Sequence, residues 1–250
     1  MGGDMITVNN DRGSFSTLAS LKIIGIFGAT FGLIGTLMAA IAYISGHPDF
    51  SMFTTFLSDI GDTPGWAQIL FNSTTLIAAP IRFLIIVLVA MCLSQVGASN
   101  RFTHTVLIIG AISTIGTIIM TAVPYSVSKE IHLAGIPMYF FGLVVWQTIL
   151  GIEEWKLGVP RILPVLSFMV VFAFLSFFIL VVLYQANVTG RFLAPIWQWL
   201  GFFFSIIWAY AHSIILPAMV HLQPIAYKID NMYTNGYTIS NTDGMKYGKY

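Results

Sequence analysis

Ser58, Asp59 and His132 are the residues whose types could serve acyl transfer, supplying a hydroxyl nucleophile, an orienting carboxylate and an imidazole base. Adjacent side chains such as Ser58 and Asp59 usually point apart, so this reading, a membrane-embedded lipid hydrolase, ranks behind those that follow. No GxSxG elbow, P-loop or dinucleotide glycine pattern occurs. Cation binding is a second chemistry, since His47, Asp49, Asp59, Asp62, Glu130 and His132 all flank apolar stretches on one expected side. Loop carboxylates are more often simply solvated. HxxxH, HExxH and CxxC spacings are absent, and no two histidines fall deep in facing helices, which leaves no recognisable metal site or bis-histidine haem. Neither metal nor cofactor is expected. The third residue able to do chemistry is Arg82, a cation inside an apolar stretch.

Helices in a membrane must position these groups. Of 250 residues, 57% are hydrophobic and 8% charged, with a mean hydropathy of +0.84, whereas soluble domains carry about a quarter charged residues. A net charge of +1 offers no basic surface for nucleic acid, and the one cysteine, Cys92, excludes a disulfide framework or zinc ribbon. A hydrocarbon core of roughly 30 Å needs about 20 apolar residues as helix. Six stretches reach that length, approximately 21–44, 69–93, 105–123, 131–152, 162–184 and 193–220. The alternation of a transmembrane β-barrel is absent. The expected fold is therefore all-α, a polytopic membrane protein with an antiparallel bundle of six transmembrane helices over 21–223. A cytoplasmic segment, 1–20, precedes it, and a polar, tyrosine-rich cytoplasmic tail, 224–250, follows. The first crossing reads as a retained signal anchor. Arg12, Lys22, Arg101, Lys156, Arg161, Lys228, Lys246 and Lys249 fall on one side, against Lys129 and Arg191 on the other, so the positive-inside rule puts both termini in the cytoplasm. Trp66, Trp197 and Trp199 are expected in the outer aromatic belt and Trp155 in the inner one.

In the first helix Gly25, Gly28, Gly32, Gly35, Ala39 and Ala42 share one face and leave it nearly without side-chain volume. Such seams admit close backbone packing in lipid, where hydrophobic drive between helices is small. Gly110, Ser113 and Thr117 repeat the spacing and are the expected mate; a dimer or partner-subunit seam is the alternative. Arg82 falls near mid-bilayer, where a charge must face the bundle interior or water. No acid lies within the expected spans. Its candidate partners are Asp59, Asp62, Glu153, Glu154, backbone carbonyls or an anionic lipid head group. Pro80 frees the carbonyl of Leu76, and Asn72, Ser73, Thr74 and Thr75 make the second helix the polar one. Asn187 opens an Asn-Val-Thr glycosylation sequon in the third outer connection.

The run Leu57, Ser58, Asp59, Ile60, Gly61, followed by Phe71 and Asn72 opening the second helix, with His132 opening the fourth, resembles a pattern of two groups of six-helix membrane proteins. One is the family called domain of unknown function 998, the other the Frag, DRAM and Sfk group. Gln198 and Trp199 are similar to a Glu-Trp pair of the second group, with the acid replaced. The resemblance covers roughly residues 20–220. It implies a six-helix bundle with both ends cytoplasmic, no established catalysis, roles tied to membrane lipids, and an outer-face site at Ser58, Asp59, Gly61, Phe71, Asn72 and His132.

The leading expectation is a non-enzymatic six-pass protein. Its first outer loop and polar second helix would bind lipid head groups or a partner, through Arg82, Ser58, Asp59, Gly61, Asn72 and His132. The alternative is an accessory subunit of a larger membrane complex, in contact with other membrane protein subunits.

Overall fold

The computed structural model describes residues 11–240, with side chains over 16–220. Seven helices follow one another: α1 (Asp11–Ile44), α2 (Leu57–Asp62), α3 (Trp66–Gln95), α4 (Asn100–Ala122), α5 (Lys129–Lys156), α6 (Ile162–Gln185) and α7 (Leu193–Ser240). All but the short α2 are long and apolar enough to cross a membrane, over Ser16–Ile44, Trp66–Gln95, Asn100–Ala122, Lys129–Lys156, Ile162–Gln185 and Leu193–Val220. These agree with the expected spans to within a few residues. Two boundaries differ. The helix α1 begins at Asp11, inside the expected N-terminal segment, and α7 runs unbroken to Ser240, so the backbone of 224–240 is helical. The side chains of that tail, and residues 241–250, lie outside the described residues.

One local device ends three of the long helices. Gly97, Gly158 and Asn187 take φ values of 108°, 67° and 58° just past α3, α5 and α6. The next amide in each case reaches back five residues: Ala98 N–H to Leu93 at 2.9 Å, Val159 to Glu154 at 3.3 Å and Val188 to Leu183 at 2.9 Å. This is the Schellman closure, which satisfies carbonyls that a helix end would otherwise leave bare. Ser99 starts α4 by accepting the Phe102 amide at 3.2 Å.

Each long helix packs on its sequence neighbours, and α7 returns onto α1, which closes the six into a ring. Ser126 donates its amide to Asp62 at 2.9 Å and Arg191 pairs with Asp59, so the connections 45–65, 123–128 and 186–192 meet at one end, called here the α2 end.

Small residues set the helix spacing, though not as one seam. A Cβ on Gly25 would overlap the Ser213 hydroxyl of α7, one on Gly35 would overlap Thr74 of α3, and one on Gly28 would stand 2.6 Å from Ile81. Gly32 departs from the expectation: its nearest neighbour would be Ile206 at 3.7 Å, an ordinary contact, because this glycine faces a cavity. The expected mate is also corrected. The first helix packs on α3 and α7, whereas Gly110 lies against Ile86 and Ser113 against Gly142. The closest backbone approach joins α4 to α5, where a Cβ on Gly116 would stand 2.5 Å from the Tyr139 nitrogen and one on Gly135 2.7 Å from the Gly116 carbonyl.

Trp199 is a second correction. It is buried, with 1% exposed, and its indole donates to the Thr55 carbonyl at 2.9 Å, while Trp66 is 76% exposed.

Candidate functional site

A cavity of about 740 Å³ runs inside the ring from the α2 end. Its mouth carries Ser58, Asp59, Asp62, Asn72, Thr121, His132, Gln185 and Gln198; further along the helices come Thr74, Arg82 and Thr117, then Phe140, Leu143 and Phe174, and the far end has Trp146, Gln147 and Trp208. All six residues expected to form the site, Arg82, Ser58, Asp59, Gly61, Asn72 and His132, line this one space.

The mouth is built by short-range bonding that explains the run Leu57–Gly61 and its partners. Asp59 accepts the Phe56 amide at 2.9 Å, which fixes the first turn of α2. The same carboxylate oxygen takes the Arg191 guanidinium, which also lies 5.0 Å from the centre of the Phe56 ring. Asn72 donates from Nδ2 to the Gly61 carbonyl at 2.8 Å. Any side chain on Gly61 would press on Phe71 and Asn72 at 2.7 and 2.8 Å. Gln198 accepts the Leu57 amide at 2.8 Å, so with Trp199 it ties the connection to α7. Gly61 and Asn72 thus shape the mouth, and Gln198 supplies the acceptor that holds the start of α2.

The structure does not join Ser58, Asp59 and His132 into a relay. The Asp59 carboxylate is engaged by Phe56 and Arg191, and His132 places Nδ1 3.0 Å from the Val123 carbonyl with Tyr125 edge-on to its ring. The six histidines and acids considered as a cation cluster are likewise dispersed: His47 stacks on Tyr43 at 4.1 Å, and no group of three or more metal-binding side chains forms among the described residues.

Arg82 is the cation inside the ring. It donates to the Thr117 hydroxyl at 2.5 Å and its guanidinium carbon lies 5.1 Å from the centre of the Tyr139 ring. Thr117 passes its own proton to the Ser113 carbonyl at 3.0 Å, so its oxygen is free to accept from Arg82. Each carboxylate considered as an Arg82 partner is occupied elsewhere: Asp59 by Arg191, Asp62 by the Ser126 amide, Glu153 by Lys156 at 3.7 Å and Glu154 by His212. Among the described residues Arg82 has no ion pair.

Sequence reasoning missed the group below the cavity. Glu154 lies inside the spanning helix α5, not beyond it, and is fully buried with His212, Ser167 and Trp208 close by. The Glu154 carboxylate meets His212 Nε2 at 2.5 Å and accepts the Ser167 hydroxyl at 3.1 Å; the Trp208 indole donates to Ser167 at 3.0 Å. In sequence, a Glu-Glu pair next to a tryptophan and a lysine reads as a membrane boundary. Asn187 is exposed in its turn, whereas the Thr189 hydroxyl of the same sequon is buried and unpartnered.

No known protein family, curated protein or solved structure matches this chain.

Proposed function

We propose that this six-pass membrane protein binds an anionic membrane amphiphile inside its helix ring, with the charged group of the ligand at Arg82. One observation carries the reading: a guanidinium faces an internal cavity and every nearby carboxylate is committed to another partner. A charge at this depth is expensive and needs an opposite charge or water. The Thr117 oxygen and the Tyr139 ring offset only part of that cost. A carboxylate or phosphate would complete it with charge-assisted bonds to the fork of guanidinium donors.

The aromatic lining below Arg82 suits an apolar body, and a space of this size falls in the range of sites that enclose a small ligand whole. The polar connection with Ser58 and Asp59, together with Asn72 of α3, forms the entrance. Binding is favoured over turnover because Asp59 Oδ2 and His132 Nδ1 are each held by other groups and no hydrogen bond joins Ser58, Asp59 and His132. The distribution of basic residues supports an orientation with both termini in the cytoplasm and the entrance on the outer face.

The test is native mass spectrometry of protein extracted in a lipid-preserving medium. Wild type is expected to carry an anionic amphiphile that Arg82→Leu, folded to the same melting temperature, lacks. Identical ligands on both proteins would overturn the proposal.

A further inference from the structure

Gln147 sits at the deep end of the cavity and is 2% exposed, yet its Oε1 has no hydrogen-bond partner. An unmet buried amide oxygen costs on the order of 1–3 kcal/mol, so such atoms are normally paired. The indole of its chain neighbour Trp146 packs edge-on to that of Trp208, and both line the same space. Trp208 cannot serve it, because that indole donates to Ser167. The amide can also turn end for end, and either orientation leaves a polar atom wanting a partner.

The position of this residue relative to Arg82 defines a shape. The Arg82 guanidinium stands over Tyr139. Gln147 lies eight residues further along α5, roughly 12 Å deeper at about 1.5 Å per residue. Between the two levels α5 contributes Phe140 and Leu143 to the lining, with the Phe174 ring of α6 packed against Phe140. The space therefore reads, from the mouth inward, as cation, apolar shaft and amide.

We infer that Gln147 is a second recognition point, and that the ligand is an elongated organic anion whose far end bears a neutral hydrogen-bonding group such as a hydroxyl. This rests on the Arg82 reading and narrows it: the anion engages the guanidinium, the apolar middle fills the aromatic shaft, and the terminal hydroxyl satisfies the amide. A plain alkyl end would leave the Gln147 amide unmet and bind less tightly.

The experiment compares a medium-chain fatty acid with its ω-hydroxy counterpart by equilibrium binding to the full-length protein in nanodiscs of neutral lipid. Wild type is expected to prefer the ω-hydroxy acid by about three- to tenfold, the effect of one net hydrogen bond. Gln147→Met, which keeps the length of the side chain without its amide, should erase that preference, and Gln147→Leu should do the same. Arg82→Leu should weaken both acids alike. Equal binding of the two acids to wild type, or a preference that survives both Gln147 variants, overturns the inference while leaving the Arg82 site standing. Acids that bind wild type and Arg82→Leu equally, or bind neither, remove the Arg82 site and this inference together.

Discussion

The carboxylate of Glu154 on α5 and the imidazole of His212 on α7 meet at 2.5 Å, both wholly buried, with Ser167 of α6 as a third partner. His212 also holds the Trp208 carbonyl through Nδ1 at 2.8 Å, so every polar atom of the pair is used. Three helices are thereby pinned at one level. Removing one member leaves the other buried without its partner, which costs about 3–5 kcal/mol. His212→Ala and Glu154→Ala should each lower the melting temperature in detergent steeply. The double variant Glu154→Leu with His212→Leu should recover part of the loss, because apolar replacement of both partners removes the desolvation penalty. Additive losses in the double variant would show that the pair does not act as a unit.

The glycines separate into tight and open positions, and their substitutions should separate likewise. Gly116→Leu and Gly135→Leu drive side chains into backbone of the facing helix and should prevent a folded monodisperse protein. Gly32→Ala meets only ordinary contacts and should be neutral or stabilise by up to about 1 kcal/mol, the helix preference of alanine over glycine. Gly32→Leu should fold and lose ligand, since the new side chain enters the cavity. Size-exclusion profiles with melting curves distinguish the two classes.

Asp59 and Arg191 bind two connections across the α2 end, but their side chains are 30% and 45% exposed. An ion pair in that setting contributes at most about 1 kcal/mol. Arg191→Ala should leave the melting temperature nearly unchanged while hydrogen exchange at residues 56–62 speeds up. Asp59→Ala should speed it further, because the Phe56 amide also loses its acceptor. A large fall in global stability for Arg191→Ala would contradict this division of labour.

Thr117 orients Arg82 by accepting its hydrogen bond. Thr117→Val keeps the volume and removes the acceptor. Affinity for the anionic ligand should fall modestly, by about three- to tenfold, with the melting temperature of the ligand-free protein little changed. An unaltered affinity would mean that the guanidinium finds its position without Thr117.

The six spans were legible because each is long and apolar, and Arg82 stood out because a single charge interrupts such a run. Leu57, Ser58, Asp59, Gly61 and Asn72 line one space, while Ile60 of the same run is packed in the core. What stayed hidden depends on partners distant in sequence. Leu57–Asp62 is too short to show a helical period, and it is fixed by Gln198 and Trp199 from the last span. The first helix advertised a continuous glycine face, but its neighbours differ in girth along their length, so Gly25 meets α7, Gly28 and Gly35 meet α3, and Gly32 meets none closely. Glu154 and His212 each look like boundary residues until α5 and α7 are packed on either side of α6, where the two side chains meet beside Ser167.

The contact of Gly25 with Ser213, reinforced by the 2.7 Å hydroxyl pair of Thr30 and Tyr210, joins the first span to the last. During synthesis the first five spans emerge with this junction unmade. Until the sixth arrives, the flank of α1 that meets Ser213 lies bare, and the interior around Arg82 has one wall missing. Insertion of the final span is thus the event that closes the ring and encloses the cavity beside Arg82.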